Sequence, residues 1–117
     1  MDDNGKVLCT LIQGFNDRGQ RVFVRGASTR GNSLLQYYGL SVKELPFAAD
    51  RDPSKWEKKM VGTNIPIIAE DYAKELHPAA FLLLPYSYLR QFQDRDREYL
   101  ARGGQHIVPL PYAKVLE

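Results

Sequence analysis

The sequence predicts an α/β fold of three layers, with a mainly parallel sheet of four to five strands and helices on both faces. Short apolar runs at residues 21–25, 45–49, 65–68, 81–84 and 106–110 alternate with segments of helical periodicity, the pattern left by strand–helix–strand units. The run Phe81-Leu82-Leu83-Leu84 is apolar at every position, as a strand covered on both faces must be. A chain of 117 residues with 44% hydrophobic content can bury a real core, since single domains cluster near about 100–150 residues. The expected organisation is a single domain over 1–117, with a leading amphipathic helix in 1–19 and the α/β core in 20–117.

Each element has a local cause. Val7, Leu8, Leu11, Ile12 and Phe15 recur at helical spacing and Gly19 supplies a stop, while Gly14 weakens the helix between them. Residues 21–25 are β-branched and aromatic between Gly19 and Gly26, which predicts the first strand. A polar loop follows, then a helix over 33–39 with Leu34, Leu35, Tyr37 and Tyr38 on its apolar face and Gly39 at its end. Residues 45–49 predict a second strand closing on Asp50, and 51–63 a linker rich in charge and proline. Pro66 cannot donate to a ladder, so Ile65-Pro66-Ile67-Ile68 is expected to be a short or edge strand. Residues 69–76 read as a helix ended by His77-Pro78, and 88–102 as the longest helix, with Leu89, Phe92, Tyr99 and Leu100 inward and Gly103-Gly104 as the stop. On that helix Asp94, Asp96 and Glu98 alternate with Arg90, Arg95, Arg97 and Arg102, a pattern expected of a solvated charged face with pairs such as Arg90 with Asp94 and Glu98 with Arg102.

Composition narrows the partners. The formal charge of +2 comes from interspersed acids and bases, which gives no field suited to nucleic acid or a membrane surface. The single cysteine, Cys9, excludes an internal disulfide and a four-cysteine zinc cage and suits a reducing compartment; it is expected to be a small core residue. No secretory h-region or apolar run near 18–20 residues occurs, so a soluble cytoplasmic chain is expected.

The most informative stretch is the loop Arg25-Gly26-Ala27-Ser28-Thr29-Arg30-Gly31-Asn32-Ser33. A buried strand turning tightly into a helix leaves the first helical N–H groups aimed outward, where an anion can dock on the positive end of the dipole. The triphosphate loop G-x-x-x-x-G-K-[ST] fits Gly26, Gly31 and Ser33 but has Asn32 where the lysine that reaches the β- and γ-phosphates belongs. The dinucleotide fingerprint G-x-G-x-x-G fails at Ser28. What survives is a set of backbone N–H groups with the hydroxyls of Ser28, Thr29 and Ser33, the guanidinium of Arg30 and the amide of Asn32. Asp50 ends the second strand where such folds bind a ribose hydroxyl. The plainer alternative is that Gly26 and Gly31 only allow the turn and that Ser28 or Thr29 only caps the helix.

Residues 26–37, Ala49-Asp50-Arg51-Asp52-Pro53, Gly62-Thr63-Asn64-Ile65-Pro66-Ile67, Gly103-Gly104 and Pro109-Leu110-Pro111 together resemble the C-terminal domain of S-adenosylmethionine-dependent nucleotide-sugar C-methyltransferases. The resemblance implies a Rossmann-like layer that helps to form a nucleotide-sugar cleft, beside a zinc-binding domain and a methionine-cofactor domain that come earlier in such enzymes. It implies a nucleoside diphosphate sugar and a catalytic methyltransferase domain as partners. S-adenosylmethionine and zinc are expected only in those upstream domains, with no cofactor, metal or catalytic residue in this chain, which is therefore expected to be inactive alone. The residues Ser28 to Asn32 carry over only as contacts near the bound nucleotide or sugar.

Two aromatic positions join the expected ligand-binding set of Gly26, Ser28, Thr29, Arg30, Gly31, Asn32 and Asp50. Trp56 stands in the charged linker, where it either stacks on a base or sugar face or packs on the sheet edge. Tyr86 follows a buried strand at the same carboxyl edge, where it and Tyr88 either line a pocket or cap the core. His77 and His106 read as structural. Two other functions stay open: a packing domain that shapes the cleft without holding nucleotide, and a stand-alone dinucleotide-binding protein.

Overall fold

The structure is a computed structural model that describes residues 3–85, 88–110 and 112–116. Eleven principal elements follow one another: α1 (Asp3–Asp17), β1 (Val22–Arg25), α2 (Thr29–Tyr37), β2 (Ala48–Asp50), β3 (Ile67–Ala69), α3 (Glu70–Glu75), β4 (Ala80–Leu83), α4 (Leu89–Arg95), α5 (Arg97–Ala101), β5 (Gln105–Val108) and β6 (Lys114–Leu116), with one 3-10 turn at Pro53–Lys55.

The strands form one six-stranded sheet in the order β3-β2-β1-β4-β5-β6. The first five are parallel, and β6 runs antiparallel to β5 with Ile107 opposite Val115. This is the predicted α/β, Rossmann-like architecture with one strand more than expected. The strand order reverses between β1 and β4, and in open sheets of this kind ligands bind outside the carboxyl ends of the strands at such a reversal.

Alternation along the strands sorts the core into two layers. Val22 and Val24 of β1, Ala80 and Leu82 of β4 and Ile107 of β5 pack against Leu8, Ile12 and Phe15 of α1 and Leu35 of α2. Phe23, Phe81, Leu83 and Val108 face the other way, onto Ala73 of α3, Phe92 of α4 and Tyr99 of α5. All four β4 residues are buried, as the unbroken apolar run requires. The strand that follows Pro66, β3, is at the sheet edge: Pro66 bridges back to Lys59, and the segment from Glu57 to Lys58 hydrogen-bonds Ile67.

Several expectations are corrected. The helix after β1 begins at Thr29 rather than at Ser33, because Ser28 caps it there. Its face turns accordingly: Leu35 and Tyr38 are buried while Tyr37 is exposed, as is Val7 on α1. Cys9 is half-buried, its Sγ directed at the carbonyl of Tyr38 3.5 Å away, and burial followed by the nearby Glu44 charge pushes its thiol pKa up. The long helix expected over 88–102 is two helices that meet at Asp96, where the backbone leaves helical geometry at φ −100° and ψ 15°.

Candidate functional site

The carboxyl edge of the sheet is built by close approach. Gly26 leaves β1 at φ +89°, donates its N–H to the carbonyl of Ala49 at 2.8 Å, and lies so near the β4 exit that a Cβ would come within 2.8 Å of Pro85. Gly31, in the first turn of α2, would place a Cβ 2.6 Å from Leu84. Two glycines thus let the β1–α2 turn sit directly on the end of β4.

The polar groups of this turn are engaged within the protein. Ser28 is the N-cap of α2 and its hydroxyl accepts from the N–H of Gly31 at 3.0 Å. Asn32 is buried; it donates to the carbonyl of Val61 at 2.6 Å and accepts from the Thr63 hydroxyl at 2.8 Å, which ties α2 to the 61–63 segment. Asp50, at the end of β2, accepts from the N–H of Ala27 at 2.8 Å with one oxygen and from the N–H of Asp52 at 2.9 Å with the other. Thr29 and Arg30 are exposed, and Arg30 forms no ion pair among the described residues. As the first two helical residues they have N–H groups with no intrahelical acceptor. Tyr86 lies outside the described residues, and Tyr88 is exposed.

Beside the α2 start is a hollow of about 240 Å³ lined by Ala27, Ser28, Thr29 and Asn32 and, from the following linker, by Lys55, Lys58, Lys59, Met60 and Val61. Lys55 reaches the carbonyl of Ala27 at 3.3 Å and lies 3.7 Å from Asp50, so the linker folds back over the turn. Trp56 is half-buried against the core, and its indole N–H donates to the carbonyl of Asp50 at 2.8 Å. A second hollow of about 380 Å³, lined by Trp56, Arg51, Glu70, Asp71 and Arg95, opens on its other side. The structure therefore brings Ser28, Thr29 and Asn32 to one hollow, with Asp50 and Trp56 bracing its wall.

On the opposite face of the sheet is a buried charge network that sequence reasoning missed. Arg25 is fully buried, yet its guanidinium makes paired hydrogen bonds to Asp96 at 2.5 and 2.8 Å and bonds Glu70 at 2.9 Å. Phe81 and Phe92 flank it with ring centroids at 5.0 and 4.9 Å. Asp96 also receives Lys74 at 3.0 Å and His106 at 2.7 Å, while Arg95 closes on Glu70. Burial alone would raise the Asp96 pKa; the hydrogen bonds from His106 and Arg25, with the Arg25 charge and Lys74, outweigh it and hold the carboxyl well below the usual range. Asp96 is thus no part of a solvated face, and its pull inward accounts for the break between α4 and α5. Of the expected surface pairs, Glu98 does meet Arg102 at 2.7 Å, and Asp94 meets Arg97 rather than Arg90. The only hint in the sequence was Arg25 itself, a charge at the end of a strand with apolar neighbours.

Residues 2–111 match the family model described as the C-methyltransferase C-terminal domain. The chain belongs to that family. It is also similar to the C-methyltransferase NovU of Streptomyces niveus, at 35% identity over 106 residues. The similarity covers 91% of this chain and 25% of that relative, so the chain spans about a quarter of the relative's length. The fold and the expected resemblance therefore agree: this is the C-terminal domain of a C-methyltransferase. No helix among the described residues is long and apolar enough to cross a membrane.

Proposed function

We propose that this C-terminal domain presents its carboxyl edge to a nucleoside diphosphate sugar, while methyl transfer to a sugar carbon takes place on the catalytic domains of the parent enzyme. S-adenosylmethionine and zinc belong, in this reading, to those other domains. The observation that carries it is the lysine hollow at the α2 start. The start of α2 at Thr29, with its helix dipole, and the side chains of Lys58 and Lys59 line one concave surface. A diphosphate is an anion suited to a site that sets several cations beside a helix start.

The direct test is titration with a nucleoside diphosphate. Trp56 is the only tryptophan, and its indole is bonded to Asp50, whose carboxylate holds the N–H of Ala27. Occupancy of the hollow is expected to change Trp56 fluorescence and the amide shifts of residues 26–32, saturating at millimolar ligand and weakening with added salt. An unchanged signal in both would remove the proposal.

A second reading, that the domain only shapes the cleft, is favoured by one observation. Ser28, Asn32 and Asp50 already spend their polar atoms on the protein itself. Replacing Lys58 and Lys59 by alanine separates the two, since it lowers nucleotide affinity only if the hollow holds the diphosphate.

A further inference from the structure

The largest hollow described, about 480 Å³, lies at the opposite, amino edge of the sheet. It falls within the size range of small-molecule sites, about 300–1,000 Å³. Its lining is mixed: Leu76 and Ala79 give it apolar surface over the buried Phe23, and Gln20, Arg21, His77 and Gln105 its polar side chains, without a carboxylate. The side chain of Arg21 has no ion-pair or hydrogen-bond partner among the described residues.

His77 is the unusual part of the rim. It follows α3 at φ +48°, the left-handed position that glycine ordinarily fills after a helix, and it precedes Pro78. Its ring nitrogens likewise have no hydrogen-bond partner among the described residues, and the ring lies 5.2 Å from that of Tyr99. The wall behind it is fixed: the Tyr99 hydroxyl donates to the carbonyl of Pro78 at 2.9 Å, and a Cβ on Gly104 would meet the Tyr99 ring at 2.3 Å. An imidazole thus replaces the residue that would be most stable there, on a rigid support beside an unpaired guanidinium.

We propose that this amino-edge hollow is a second ligand site, for a small organic anion with an oxyanion head held by Arg21 and His77 and a small apolar body resting on Leu76 and Ala79. It is separate from the lysine hollow, since the two lie at opposite ends of the parallel strands.

The test uses the 117-residue chain with phenyl phosphate, benzoate and inorganic phosphate as probes, followed by amide shifts. The expected result is saturable shifts around Arg21, His77 and Gln105 with either aromatic probe, and weaker binding of inorganic phosphate. The tighter of the two aromatic probes identifies the head group as phosphate or carboxylate. Arg21→Gln is expected to weaken binding by about tenfold or more. His77→Gly is expected to raise Tm, because glycine is unstrained at this φ, while weakening binding. The proposal is overturned by shifts that appear only around residues 26–32, by inorganic phosphate binding as tightly as the aromatic probes, or by Arg21→Gln leaving affinity unchanged. It is overturned equally if His77→Gly lowers Tm and leaves binding intact, which would make the imidazole a packing partner of Tyr99.

Discussion

Replacing Asp96 by asparagine changes little in shape and much in energy. The carboxylate takes hydrogen bonds from two Arg25 nitrogens, from Lys74 and from His106, and its side chain is fully buried. Asparagine offers one acceptor oxygen and turns an NH₂ group toward those donors, leaving the Arg25 guanidinium buried with less countercharge. Breaking a buried pair in this way costs about 3–5 kcal/mol, a large part of the 5–15 kcal/mol or so that holds a domain folded. With a urea slope of about 1–3 kcal/mol per molar, the unfolding midpoint should fall by at least about 1 M. Glu98→Gln is the control: its partner Arg102 is as close, at 2.7 Å, but both side chains are largely exposed, and the expected loss is under about 1 kcal/mol. Acid makes the same point with the opposite handle. The Asp96 pKa is lowered by folding, so its stabilisation is complete above the ordinary unfolded carboxylate value near about 3.9 and is lost as pH falls toward the depressed folded value. Between about pH 5 and pH 2 the parent protein should therefore lose stability more steeply than Asp96→Asn. A midpoint shift no larger than that of Glu98→Gln, or identical acid slopes for the parent and Asp96→Asn, would refute the assignment of Asp96 as the centre of the network.

Other consequences concern the carboxyl edge. Gly26→Ala should destabilise the fold by about 1–3 kcal/mol in thermal or urea unfolding, because it combines a positive φ with a 2.8 Å approach to Pro85. Ser28→Ala removes the α2 cap and should cost about 1 kcal/mol, whereas Ser28→Gly should cost only a few tenths. Asn32→Ala leaves the Thr63 hydroxyl without its acceptor and the Val61 carbonyl with only its bond from Gln36, and should speed hydrogen exchange in the 61–63 segment as well as lower Tm.

The parallel sheet was legible because each of its strands is a short apolar run punctuated by glycine, proline or charge, and Pro66 marked an edge correctly. The features that escaped are tertiary in origin. Residues 88–102 carry strong helical periodicity, and only the position of Arg25, more than seventy residues earlier and close in space, draws Asp96 inward and breaks the helix there. His106 could be read as packed, but its partner could not be named from spacing. The sixth strand, Lys114–Leu116, is three residues at the end of the chain after two prolines, too short for a period-2 signal and defined only by its ladder to β5.

The glycine loop was singled out for its chemistry, and its side chains turn out to be occupied by architecture. Ser28 caps, Asn32 ties, and Asp50 braces; the side-chain polar groups of these three residues have protein partners at hydrogen-bond distance, while Thr29 and Arg30 stay exposed. On the proposed reading this moves the binding capacity of the edge rather than removing it. What the fold leaves unspent there are the first N–H groups of α2, which have no acceptor within the helix, the exposed Arg30, and Lys58 and Lys59 of a linker whose sequence showed only charge. A site built this way should be sensitive to salt and to Lys58 and Lys59. It should respond to Asp50→Asn mainly through stability, because that carboxylate acts on the loop rather than on the ligand. If Asp50→Asn instead abolished nucleotide binding in a protein of unchanged Tm, the carboxylate would have to leave the N–H groups of Ala27 and Asp52 to meet the ligand. The turn would then be a moving part and not a fixed wall.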